Sequence, residues 1–336
     1  LLIPAGTPPG DYEVQILVHP AGDDRPLAAR QGTAARPSGG APLYKLSVAP
    51  AGRALGREHL PLAHPQTADL GDGIRFLGYS AADTVAQPGD LRKVSLFWQA
   101  TARPAADYTA FLQLLPAAGP PAAGWEAPPG AAYATGRWEA GTLLRSQATL
   151  RLPAGLPDGR YRLITGLFRQ SDGRRLVVGG RDYVDLGAVI VRGRTHSLAA
   201  PNPSHPAGGQ FGNLARLAGY DLSTTTVTAG GNLSLTLYWQ AAGTTDRAYT
   251  VFVHLIDAQG NLAGSGDGEP GGGTLPTTGW LAGEYLVDRH TVGLAAEARP
   301  GSYRLAIGLY DPAGGQRLTT PEGADQIILA TPVTLK

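Results

Sequence analysis

The sequence contains no cysteine, which excludes disulfides, thiolate metal sites and cysteine nucleophiles together. It also lacks any apolar run approaching the ~20 residues that a membrane-spanning helix requires, so no membrane span is expected in this chain. An excess of either charge is missing as well. Twenty-eight basic and 27 acidic residues leave a net charge of +1, without basic clusters. A nucleic-acid partner leaves a basic stripe as its footprint, and none is present. Lysine is scarce, confined to Lys45, Lys93 and Lys336, and the Arg bias reads as the composition of a GC-rich genome. Finally, there is no Gly-x-Ser-x-Gly elbow, no Walker loop and no Gly-x-Gly-x-x-Gly fingerprint between a strand and a helix. With no nucleophile, base and oxyanion donors to assemble, a non-enzyme without cofactor or metal is expected.

What is abundant is punctuation. Gly 47 and Pro 28 together exceed a fifth of the 336 residues. Such a content accompanies disorder in some chains, but 43% hydrophobic residues supply the apolar surface that disordered segments lack. Frequent turns between apolar segments point to many short strands.

The strongest signal is an internal repeat. Leu77-Gly-Tyr79, a Pro88-Gly-Asp90 turn, Val94-Ser-Leu-Phe-Trp-Gln-Ala100 and Asp107-Tyr-Thr-Ala-Phe-Leu-Gln-Leu114 form one copy. Ala218-Gly-Tyr220, Gly230-Gly231, Leu235-Thr-Leu-Tyr-Trp-Gln-Ala241 and Tyr249-Thr-Val-Phe-Val-His-Leu255 form another. One offset of 141 relates Tyr79 to Tyr220, Trp98 to Trp239 and Tyr108 to Tyr249. The back half occurs three times, opening at Pro8-Pro-Gly-Asp-Tyr12, Pro157-Asp-Gly-Arg-Tyr161 and Arg299-Pro-Gly-Ser-Tyr303. Leu27, Leu176 and Leu318 each follow their Tyr by fifteen residues.

Each segment has the period of a strand. Leu235, Leu237 and Trp239 share one face, as do Val94, Leu96 and Trp98, and Tyr303, Leu305, Ile307 and Leu309. A Tyr at a strand start after a turn is the corner tyrosine of immunoglobulin-like sandwiches. The expected fold is therefore all-β: tandem immunoglobulin-like antiparallel β-sandwich domains. Residues 1–50 read as the back half of a first module, 71–193 as a second module and 211–336 as a third. The Pro-, Gly-, Ala- and His-rich stretches 51–70 and 194–210 read as linkers. Opening at Leu1 inside a module, the chain reads as a processed product or part of something longer, or as one completed by strand complementation from a partner.

Candidate site residues are few. None of the seven histidines (His19, His59, His64, His196, His205, His254, His290) has a zinc-protease spacing, and His19 and His254 read as ordinary strand residues. Gly264-Ser-Gly-Asp-Gly268 reads as a flexible loop with no helix behind it. Asp267, Glu284 and Asp288 surround Trp280 and supply the oxygen ligands of a candidate calcium site. Their counterparts Trp125, Thr142 and Ser146 argue against a site structural to the module. Trp98 and Trp239 are expected in the core. Trp125, Trp138 and Trp280 fall in or after long loops, and are the candidate contacts for a glycan or protein partner if exposed there. The alternative for Trp138 and Trp280 is that they pack the loop onto the sandwich.

Taken together, Leu-Gly-Tyr, Leu-Tyr-Trp-Gln-Ala, Tyr-Thr-Val-Phe-Val-His-Leu, Gly-Trp-x-x-Gly-Glu and Pro-Gly-x-Tyr-Arg-Leu resemble an uncharacterised β-sandwich module. Such modules occur in large extracytoplasmic proteins of Chloroflexota-type bacteria and after the membrane-embedded part of certain glycosyltransferases. Residues 212–318 match best, 72–192 next and 1–50 in the back half. The resemblance implies a secreted or cell-surface location and a spacer, assembly or adhesion role, with self-association or other surface proteins as partners. Carbohydrate binding, or an accessory role to a membrane glycosyltransferase, is the alternative.

Overall fold

The structure is a computed structural model describing residues 3–16, 30–31, 34–35, 41–49, 56–81 and 84–336. Leu27 and His19, named above, lie outside the described residues. The chain forms two compact units, Leu1–Gln15 with Pro42–Gly193, and Ile16–Ala41 with Arg194–Lys336. The secondary structure is almost entirely β.

The first described strands are β1 (Gly10–Ile16), β2 (Arg30–Gln31), β3 (Ala34–Ala35) and β4 (Ala41–Val48), with β1 pairing β4 and β2 pairing β3. The first unit continues with β5 (His64–Gly71), β6 (Ile74–Ala81), β7 (Val85–Ala86), β8 (Leu91–Ala100) and β9 (Tyr108–Leu115). It ends with β10 (Ala123–Ala127), β11 (Leu143–Arg151), β12 (Gly159–Arg169) and β13 (Val184–Val191). A five-stranded sheet of order β10-β9-β12-β13-β7 faces a four-stranded sheet of order β11-β8-β6-β5.

The second unit holds β14 (His205–Pro206), β15 (Gln210–Phe211), β16 (Ala215–Leu222), β17 (Thr226–Val227), β18 (Asn232–Ala241) and β19 (Thr250–Ile256). β20 (Leu262–Ser265), β21 (Tyr285–Leu294), β22 (Gly301–Asp311), β23 (Gln316–Arg317), β24 (Ile327–Ile328) and β25 (Val333–Leu335) complete it. The order β14-β16-β18-β21-β20-β19-β22-β25-β17 reproduces both sheets of the first unit. Here they are joined along one side, because β20 pairs with both β19 and β21.

The alternation read from the sequence sets which side chains meet between the sheets. Along β18, Leu233, Leu235, Leu237, Trp239 and Ala241 are buried and the intervening residues are not. Trp98 packs on Phe76 with ring centroids 5.1 Å apart, and Trp239 on Phe211 at 6.2 Å. The corner tyrosines are present in all three copies: Tyr12, Tyr161 and Tyr303 donate to the carbonyls of Pro8, Pro157 and Arg299 at 2.7, 2.9 and 2.6 Å.

The stretches read as linkers differ from that expectation. Residues 64–71 are strand β5, and 205–206 and 210–211 are β14 and β15. His64 and His205, also related by 141, stack on Tyr79 and Tyr220 at 4.5 and 5.0 Å. The following prolines are tolerated because these are edge strands, where a missing N–H breaks no internal ladder. Edge prolines also discourage further pairing. This explains the glycine of the Leu-Gly-Tyr and Ala-Gly-Tyr segments. A Cβ on Gly78 would lie 2.4 Å from the His64 carbonyl, and one on Gly219 2.2 Å from Pro203.

A second duplicated device covers the outer face of each larger sheet. Phe111 and Phe252 point outward yet are buried, each capped by an arginine (Arg175, Arg317) 4.1 Å from its ring centroid. The rings lie against Gly166 and Gly308, where a Cβ would fall 2.7 and 2.2 Å from them. Gly308→Ala is therefore expected to destabilise the second unit by about 1–3 kcal/mol through overpacking. Chemical denaturation against the unsubstituted chain measures it, with no change in midpoint as the contrary outcome.

Candidate functional site

The inward tryptophan brings one polar group, its indole N–H, into each core, and a buried donor needs an acceptor. In the first unit Trp98 Nε1 donates to Ser146 Oγ at 2.8 Å, and that hydroxyl donates to the Pro129 carbonyl at 2.8 Å. In the second, Trp239 Nε1 donates to Asp288 Oδ2 at 3.1 Å, while Asp288 Oδ1 accepts the Gly271 N–H at 2.8 Å. Ser146 and Asp288 hold equivalent places on β11 and β21, as do Pro129 and Gly271 on the loop. The chemistry of the two copies is complementary. A proline offers only a carbonyl, so its partner is a hydroxyl donor; a glycine offers an N–H, so its partner is a carboxylate.

His290 completes the second version. It lies two residues along β21 on the same inward face, in the place of Ala148. Its Nε2 is 2.8 Å from Asp288 Oδ2 and its Nδ1 is 2.8 Å from the Gly266 carbonyl. With a carboxylate on one side and a carbonyl on the other, this geometry favours the doubly protonated, imidazolium form of the ring. Burial by itself favours the neutral ring. The Asp288 hydrogen bond and charge, the Gly266 carbonyl and the Asp267 charge outweigh it and raise the His290 pKa.

The long loop is fastened at two further points in each unit. Thr135 and Thr277 accept the N–H of Tyr108 and Tyr249 at 2.8 and 2.9 Å, and donate to the carbonyls of Ala106 and Arg247. Trp138 and Trp280 then turn inward. Both are fully buried, and their Nε1 atoms donate to the Tyr133 and Leu275 carbonyls at 3.0 and 2.9 Å. This corrects their candidacy as ligand contacts, because neither ring offers a face to a partner. They anchor the loop, since the loop's own backbone satisfies the indole. Trp125 is different: it lies on the edge strand β10 opposite Leu112, half-buried against the core.

The three carboxylates weighed above as a candidate calcium site each have separate partners. Asp267 accepts the Val253 N–H at 3.1 Å and lies 3.4 Å from His254. Glu284, fully buried, takes a bidentate contact from Arg194 at 2.9 and 2.5 Å, His196 Nδ1 at 2.5 Å and the Leu281 N–H at 2.8 Å. Burial alone would raise its pKa; Arg194, the Leu281 N–H and His196 reverse this and lower it. Among the described residues no group of three or more His, Asp or Glu is placed to hold a metal ion. The Gly264–Gly268 segment is not a free loop either. Gly264 and Ser265 belong to β20, and a Cβ on Gly264 would meet the Gly293 carbonyl at 2.7 Å.

A comparison with protein-family models returns no match for the chain, and a search of the curated proteins returns none. The site must therefore be judged on its own geometry. Its ionisable groups sit between the sheets and hold a loop closed.

Two outcomes follow from the Asp288–His290 pair. Asp288→Ser leaves a buried imidazolium without its counter-charge and is expected to cost about 3–5 kcal/mol. Asp288→Ser with His290→Ala reproduces the residues of the first unit and should restore more than 1 kcal/mol of that loss, as a double-mutant cycle reads it. Strict additivity would contradict the pairing. The pH dependence has a fixed sign. A raised histidine pKa contributes stability that is complete below the ordinary imidazole value of about 6.5 and is lost as pH rises through the higher folded value. The thermal midpoint of the second unit should thus fall on alkalinisation across that range, and the double variant should lose this slope.

Proposed function

We propose that the chain is a non-catalytic, extracytoplasmic structural repeat whose sandwich modules act as spacers and assembly surfaces. The observation that carries this reading is the exchange at the buried cluster. Asp288, His290 and Gly271 in one copy do the work of Ser146, Ala148 and Pro129 in the other. A fastening role tolerates that replacement, because only the pairing of donors with acceptors has to survive. An acid–base role does not, since a serine–alanine pair has no proton to exchange near neutral pH. Tandem modules of one type, each with its own core, suit a spacer. The resemblance to cell-surface modules supports the same location.

Carbohydrate binding is the second reading, and Trp125 is the observation that favours it. It is the one candidate tryptophan that is not fully buried, in the middle of the edge strand β10. A glycan-array screen of the intact chain separates the two. The structural reading expects no glycan bound above background. Binding that disappears in Trp125→Ala, with an unchanged thermal midpoint, would replace it by the second reading.

A further inference from the structure

The stretch that opens the second unit is fastened at both ends by carboxylates of that unit. At its start the Arg194 guanidinium bonds both oxygens of Glu284 and the Gly279 carbonyl, and His196 Nδ1 meets Glu284 Oε2. Ser197 adds one backbone bond, its carbonyl accepting the Tyr285 N–H at 2.7 Å. At its end, just before β14, the Ser204 N–H donates to Asp221 Oδ1 at 2.6 Å, while Asp221 Oδ2 accepts the Tyr238 hydroxyl at 2.6 Å. Among the described residues, 198–203 carry no hydrogen bond or ion pair, and Leu198 is 71% exposed. Residues 194–204 are therefore a strap, with two polar latches and an unbonded span between them.

The first unit fastens the corresponding place without charge. Ser80 stands where Asp221 does, by the same offset of 141, and accepts the Ala63 N–H at 2.9 Å. Thr142 stands where Glu284 does. Hydroxyls do not titrate in the carboxylate range, so the fold of the module does not require a carboxylate at either place. What the pair of carboxylates adds in the second unit is sensitivity to acid. The ionisable groups around the latches are Arg194 and His196 at Glu284, and Tyr238 and His205 at Asp221, with Arg289 beyond Tyr238. The Tyr238 hydroxyl and the Ser204 N–H hold Asp221 below the ordinary carboxylate range, as Arg194, the Leu281 N–H and His196 hold Glu284 against the effect of its burial.

We propose that residues 194–204 are an acid-released strap, docked while Glu284 and Asp221 are ionised and freed when both are protonated. Arg194 keeps its charge at any pH, so neutralising Glu284 leaves a largely buried guanidinium without its counter-charge. The lowered carboxyl pKa values fix the sign: the latches hold fully above the ordinary value of about 4 and are lost as pH falls through the folded values. Release takes up two protons, one at each latch. Its consequence is mechanical. Gly193, the last residue of the first unit, is bonded within that unit, its N–H donating to Asp158 Oδ1 at 2.6 Å. With the strap docked, no unattached residue is left between Gly193 and Arg194; its release adds up to roughly 35 Å of extended chain as a tether. The inference rests on the spacer reading for its purpose, and makes the reach of the spacer depend on pH.

The test uses the intact chain. Because it lacks cysteine, Leu198→Cys provides a single attachment point for a spin label. The mobile component of the electron paramagnetic resonance spectrum should grow at least about five-fold between pH 7 and pH 3, more steeply than a one-proton curve. The near-UV circular dichroism of the buried tryptophans should stay unchanged over that range. Glu284→Gln with Asp221→Asn should leave the label mobile at both pH values. Asp221→Ser, which copies Ser80, should keep the strap docked at pH 7 and reduce the steepness to one proton. Three results overturn the proposal: a spectrum that does not change from pH 7 to pH 3, a change that coincides with loss of the near-UV signal, or a double variant as immobile at pH 7 as its parent. None of these bears on the glycan screen, so the strap and the structural reading fail separately.

Discussion

The indole N–H of the inward tryptophan is the constraint around which each complete module is organised. Trp98 and Trp239 fill the space between the sheets, and nothing apolar can satisfy their donors. An acceptor must therefore stand on the neighbouring strand, two sheet positions deep in an otherwise apolar stripe. Once there, that acceptor has further hydrogen-bonding capacity of its own, and the long loop is what meets it. The tryptophan thus helps to fix the loop through one side chain, Ser146 or Asp288. Thr135 and Thr277, with Trp138 and Trp280, repeat the principle at the loop's far end.

The two solutions to this constraint differ in charge but not in logic. The first unit uses a neutral relay, with Ser146 accepting from the indole and donating to a carbonyl. The second uses an ion pair, in which Asp288 accepts from the indole, the loop and His290. A buried ion pair gains little over neutral packing, but losing one partner is costly. The second unit is thereby sensitive to alkaline pH at a position where the first has no titrating group. Acid acts elsewhere: Glu284, with its lowered pKa, gives stability present above the ordinary carboxylate range and lost as pH falls through the folded value. Its partners Arg194 and His196 come from the stretch that composition marks as a linker, so this segment is held to the third module by a fully buried charge.

Much of the fold is legible in the sequence. Period-two alternation placed Leu235, Leu237 and Trp239 inward, and the three Tyr starts located the corners. The offset of 141 contained more than the strands taken from it. His64-Pro65 and His205-Pro206 obey it too, but their Pro-rich surroundings mask the alternation on which strand recognition depends. The same period along Leu286, Asp288, His290, Val292 and Leu294 marks Asp288 and His290 as inward-facing. Asp288 is also one of the acidic residues around Trp280 weighed as a calcium site, and proximity in sequence says nothing of which sheet face a side chain takes.

The sequence by itself determined the class of the fold, the repeat and the inward face of the principal strands, because these depend on local period and on copies that can be compared. Only the tertiary structure decided what the polar residues do. Whether Trp138 and Trp280 face solvent or the core, and whether Asp288 meets an N–H or a metal, depends on backbone groups brought from distant loops. That information resides in the packing of two sheets, where a donor and its acceptor stand close in space and far apart along the chain.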